Sequence, residues 1–175
     1  MAINISGAGS ITYVPMEYVF KIKQPEMVEN EYTVKDDEAA REIMRNVGIV
    51  DLDGLKSLLE GLDMTSISTR ELSGLCAGLN KLGFNDETAH SFLSEGNQDS
   101  GFDGRSRNRD VKFNAIPLIY EQLQGHIGFA AKEGLKGDKE FGRILGSIAN
   151  ANHIVAALSY FVKTAQKLPS INEQA

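Results

Sequence analysis

A single cysteine, Cys76, excludes an internal disulfide, and with it the small secreted scaffolds that fold on bridges. Tryptophan is absent and prolines number only four. No run approaches the roughly 18 continuous apolar residues of a transmembrane helix, and the N-terminus lacks the basic start and apolar core of a secretory signal. The expected compartment is the cytoplasm, with export by a signal-peptide-independent route as the alternative. Dense positive charge is missing too. The net charge is −6, divided as −9 over residues 1–100 and +3 over 101–175. Nucleic-acid binding normally needs a basic stripe, which this balance does not supply. There is no G-x-S-x-G, no phosphate-binding loop and no dinucleotide G-x-G-x-x-G. The three histidines, His90, His126 and His153, stand too far apart to pair on one helix turn. Paired carboxylates such as Asp36–Asp37 sit at helix starts, where capping explains them. The chain is therefore expected not to be an enzyme.

What is present is helical. Apolar residues make up 42% of 175, enough for one compact domain with its own core. The expected class is mainly α: a helical bundle with a long C-terminal antiparallel hairpin and a short N-terminal β segment. The expected organisation is a tail at 1–10, a strand-like segment and short helices over 11–94, a polar loop at 95–112, and the hairpin at 113–168. Met16, Tyr18, Phe20 and Ile22 alternate, which is strand periodicity, and such a lone strand is expected to pair with Tyr32–Val34, to pack on helices, or to exchange between subunits. Asp36 or Asp37 caps a helix to about Asn46. Leu55, Leu58, Leu59 and Leu62 share one face of a helix following Asp53. The clearest local signal is Ser68-Thr69-Arg70-Glu71, a capping box, with Ile67 and Leu72 as its hydrophobic staple. The helix it opens carries Cys76 on its apolar stripe and ends at Gly83. A short acidic helix follows, with Asn85 as the expected cap.

The polar stretch Asp99–Asp110 reads D-x-G-x-D-G-x5-D and resembles an EF-hand calcium loop, D-x-[DN]-x-[DN]-G-x5-E. The resemblance implies Asp99, Asp103 and Asp110 as metal ligands, with calcium as the only candidate cofactor. The departures are Gly101 at the third position, the shorter Asp110 at the twelfth, Ser106 where paired loops are joined by an apolar residue, and three neighbouring arginines.

Two long helices close the chain. The first runs from Ala115 to about Glu133 behind Asn114, with Ile116, Ile119, Tyr120, Leu123, Ile127 and Ala130 on one face. Gly125 and Gly128 offer a place for another helix to approach closely. The second runs from Lys139 to about Gln166. Its Phe141, Ile144, Ile148, Ala151, Val155, Leu158, Val162 and Ala165 step by three and four, a heptad-type seam. The seam is too long for its hairpin partner to cover, so its excess is expected to pack on the N-terminal helices or on a second subunit. The leading functional expectation is a non-enzymatic helical interaction or assembly module, meeting a protein partner or a second copy through Phe141, Ile144, Ile148, Val155, Leu158 and Val162. The alternatives are a calcium-responsive module using the 99–110 loop, and an enzyme of unrecognised type.

Overall fold

The computed structural model describes residues 20–97, 99–100 and 106–165. Among these the chain is mainly α. Its helices are α1 (Asp37–Asn46), α2 (Leu52–Leu59), α3 (Thr69–Lys81), α4 (Glu87–Glu95), α5 (Ala115–Lys132) and α6 (Lys139–Ala165). Four two-residue strands accompany them: β1 (Ile67–Ser68), β2 (Asp99–Ser100), β3 (Ser106–Arg107) and β4 (Lys112–Phe113).

Helix starts follow local chemistry. Asp36, Asp51, Ser68, Asp86 and Asn114 each accept an orphan backbone N–H in the first turn of the helix they cap. The Ser68–Glu71 capping box is complete in both directions. The cap of α4 is Asp86, one residue beyond the expected Asn85, and α2 begins at Leu52 behind the cap Asp51, before rather than after Asp53. The ends of α1 and α3 meet at two glycines with positive φ, Gly48 and Gly83. A Cβ on Gly48 would stand 2.4 Å from the Gly83 carbonyl oxygen, so only glycine permits this contact. The Asn85 amide completes it by donating to the Val47 carbonyl.

The bundle is built around α6, which packs against α1, α2, α4 and α5. By length and composition α6 could cross a membrane, the one such helix among the described residues. Here its apolar stripe lies in the core, with Ile148, Ile154, Val155, Leu158 and Phe161 almost inaccessible. Opposite it lie Leu118, Ile119 and Leu123 of α5 and Ala40 and Met44 of α1. Asn152 is one of the buried polar residues of α6, donating to the carbonyls of Ile148 and Ile119 and so fixing the register of α6 on α5.

Two expectations need correction. The described part of the N-terminal β segment, Phe20–Lys23, pairs with no strand, and neither does Tyr32–Val34; Met16–Val19 lie outside the described residues. The segment is held by side chains instead. Glu121 of α5 accepts the backbone N–H of Lys23 at 2.7 Å and of Gln24 at 2.8 Å. Asn114 donates to the carbonyls of Pro25 and Met27. The alternation survives without a ladder, because Phe20 and Ile22 are half-buried against the core while Lys21 and Lys23 are exposed. The polar stretch 95–112 is not a plain loop either. In it β2 pairs antiparallel with β3, and β4 pairs antiparallel with β1.

Candidate functional site

The seam of α6 divides. Ile148, Val155, Leu158 and Val162 are buried in the chain's own core, so they offer no surface to a partner. This corrects the expectation that the whole seam is an interaction face. Phe141 and Ile144, in the first two turns, remain accessible; Ile144 is 39% exposed.

These two residues form one wall of a groove of about 670 Å³ between α4, α5 and the start of α6. Gln122, His126 and Phe129 supply the α5 wall, since residues four and then three apart share a helix face. Phe92 and Glu95 of α4 and Phe20 of the N-terminal segment complete it. The lining is mostly apolar and aromatic. The Phe129 and Phe141 rings lie 6.1 Å apart, Phe141 and His126 6.4 Å, and His126 and Phe92 6.4 Å in an edge-to-face pair. Phe129 is 51% exposed. Gly125 forms the floor, and no atom lies within 4 Å of where its Cβ would be. The space expected over Gly125 and Gly128 therefore exists, and among the described residues no helix enters it.

Two polar groups in the groove are specific. His126 Nδ1 donates to the Gln122 carbonyl at 2.8 Å, which leaves Nε2 as an acceptor in the neutral ring. Gln122 Oε1 is buried and has no hydrogen-bond partner. An unfilled buried acceptor costs roughly 1–3 kcal/mol.

The expected calcium ligands are placed differently. Asp103 and the side chain of Asp99 lie outside the described residues, and the Asp99 backbone is held in β2 opposite Arg107. The Asp110 carboxylate is bound by Arg70, whose guanidinium pulls its pKa below the usual range. The loops that meet in the fold are others: α2–α3 and α4–α5 are helix–loop–helix units joined where Ile67 pairs with Phe113. With Glu71 taken as the twelfth position of a calcium loop, Glu60 is the first, but Leu62 and Met64 stand at the third and fifth, where oxygen ligands belong. The Glu71 carboxylate is bound by the Lys112 ammonium and by Ser68, which hold its pKa low. A lysine thus stands against the acid that a cation would use. Among the described residues, no three His, Cys, Asp or Glu side chains gather as a metal site.

A second cleft, of about 740 Å³, opens between α1, the start of α4 and α6, with His153, Asp86 and Glu87 on its walls. Asp86 is already occupied, one oxygen by the Ala89 N–H and the other by Asn150. His153 meets Tyr32 edge-on at 4.8 Å, and burial lowers its pKa. Among the described residues no carboxylate orients it as a base–orienter pair would require. Cys76 is buried, and desolvation pushes its thiol up to about 12, far from a nucleophile's range.

Sequence reasoning missed Phe92, Gln122, His126 and Phe129 as one surface. Their i, i+4, i+7 spacing on α5 was readable, but Phe129 sits off the apolar face of α5 and carried no signal of its own. Compared with known proteins, the chain matches no protein family, no curated protein and no solved structure.

Proposed function

We propose that this chain is a non-enzymatic helical protein–protein interaction module, and that the α4–α5–α6 groove receives the apolar anchor residues of a partner protein. The observation that carries this reading is the continuous aromatic lining around the half-exposed Phe129 and Ile144. Large contiguous apolar patches are uncommon on monomers and mark binding sites. Aromatic residues at the centre of such patches dominate interface energetics. Covering one such side chain is worth about 1.5–3 kcal/mol. The partner's anchor needs apolar side chains to match this lining.

The test is photocrosslinking from benzoylphenylalanine placed at Phe129 in cells that produce the protein, followed by reconstitution of the captured complex from purified components. Ile144→Asp should weaken the reconstituted complex at least tenfold, while Val50→Asp, at a 74% exposed position outside the groove, should not. A reconstituted complex indifferent to Ile144→Asp would refute the reading.

A further inference from the structure

Toward the other end of α6 from the groove lies a small cavity of about 50 Å³, between residues 28–34, the start of α5 and one face of α6. Asn152, Ser159 and Lys163 belong to that face, since steps of seven and four residues keep one direction on a helix. Asn152 and Ser159 are only 3% and 7% exposed, so two buried polar side chains stand at the cavity wall. The Asn152 amide nitrogen donates to the carbonyls of Ile119 and Ile148, which leaves its Oδ1 as an acceptor. The Ser159 hydroxyl has no hydrogen-bond partner among the described residues. Across the cavity, the turn Asn30–Thr33 is bonded to itself. Asn30 Oδ1 accepts the Tyr32 N–H at 2.9 Å, and Thr33 Oγ1 accepts the Asn30 N–H at 2.8 Å. What remains to each side chain is a donor, the Asn30 NH2 and the Thr33 O–H. Lys163 is exposed at the mouth and forms no ion pair among the described residues, and none of their Asp or Glu side chains lines the cavity.

We infer that this cavity binds a short-chain carboxylic acid, its carboxylate toward Ser159 and Lys163 and a hydroxyl on its chain toward Asn152. Charge decides the class. A lysine ammonium with the donors of Asn30, Thr33 and Ser159, and no acid beside them, suits an anion that accepts several hydrogen bonds at once, as a carboxylate does. Val34, Ile116 and Val155 make the rest of the wall apolar, which suits an aliphatic chain. Size sets the length of that chain. A water needs about 10–15 Å³ of such space, so the cavity takes roughly four waters, or an acid of about four carbons. Asn152 and Ser159 are separated by about 10 Å along α6. A hydrogen bond of about 2.8 Å at each end leaves about 5 Å, close to the span from a carboxylate to the far end of such a chain. The bound acid would also tie residues 28–34 to α6, because it touches both.

The experiment titrates the full, isotope-labelled chain with sodium butyrate, sodium 4-hydroxybutyrate and neutral butyramide at constant ionic strength, and follows the amides of Thr33, Ser159 and Lys163 by NMR. The expected result is saturable shifts with butyrate, about threefold tighter binding of 4-hydroxybutyrate and about tenfold weaker binding of butyramide. Lys163→Met keeps the stem at an exposed position and should weaken butyrate about tenfold, and Ser159→Ala about fivefold, with melting temperature as the check that both fold. No saturable shift at about 50 mM butyrate would mean that the cavity holds water only, and the site is overturned. Equal binding of butyramide, or undiminished binding of butyrate to Lys163→Met, overturns the carboxylate assignment. Equal binding of 4-hydroxybutyrate and butyrate overturns the part given to Asn152. If acetylglutamate amide binds more tightly than butyrate, the ligand is a partner protein's side chain and the assignment to a free acid falls.

Discussion

Replacing Glu121 by alanine should release the N-terminal segment while leaving the helical bundle folded. Glu121 is buried on α5, yet its two oxygens serve backbone amides 97 and 98 residues away. Hydrogen bonds to a charged acceptor are worth about 1.5–3 kcal/mol each. Against this, the carboxylate itself is costly to bury, by several kcal/mol before its bonds are counted. Lys23 and Gln24 are exposed, so water recovers part of what their amides lose. The net expected loss is about 2 kcal/mol, which corresponds to roughly thirtyfold faster hydrogen exchange at those two amides. Glu121→Gln should fall between, since its carbonyl oxygen accepts one N–H while its NH2 faces the other. Exchange followed by NMR at Lys23 and Gln24 is the assay, with the amides of α3 and α6 as internal controls. A change under threefold in Glu121→Ala would mean that the carboxylate is not what holds the segment.

Ser68→Ala should cost about 1 kcal/mol in urea unfolding, because the buried hydroxyl caps α3 and its loss leaves the Glu71 N–H without its partner. Stability should also depend on Glu71 at acid pH. Its folded pKa is lowered, chiefly by Lys112 and then by the Ser68 N–H, so its contribution is present above the unfolded value and lost as pH falls through the folded one. Glu71→Gln should flatten the denaturant midpoint between about pH 5 and pH 3; an unchanged slope would refute the assignment. Cys76 should resist Ellman's reagent in the native protein at pH 8 and react at once in urea, and rapid native labelling would contradict its burial.

Features decided within a few residues were legible in the sequence. The Ser68–Glu71 box needs only residues three apart, and α3 follows as expected. The steps of three and four on α6 gave the helix and its apolar stripe correctly. What periodicity cannot supply is the identity of the neighbour. Alternation at 16–22 reads as a strand, but its described half is docked by Glu121 and Asn114 of a distant helix rather than by a ladder. The calcium-like spacing at 99–110 was a pattern without the required context, since β2 and β3 fold that stretch back on itself. The loops that do come together, through Ile67 and Phe113, lack the acidic spacing that would have drawn attention to them.

The position of the open surface also reverses a simple expectation from length. With 27 residues, α6 outruns the 18-residue α5, and the excess was expected to pack on the N-terminal helices or on a second subunit, of which the first is what α1 provides. Asn152 sits at Ile119, so the excess is the C-terminal end of α6, beyond the start of α5. There Leu158, Phe161 and Val162 are buried, and α1 packs along α6. The uncovered end is the opposite one, next to the hairpin turn, where α5 is present throughout. Two antiparallel helices bury only the stripe between them, and the flanks need a third element. At this tip α4 covers one flank as far as Glu95, and among the described residues no helix lies over the outward-facing Phe129 and Ile144. An element of a partner protein laid over Phe129 and Ile144 would solve that packing problem, which is why the proposed docking site falls at this tip and not along the buried seam.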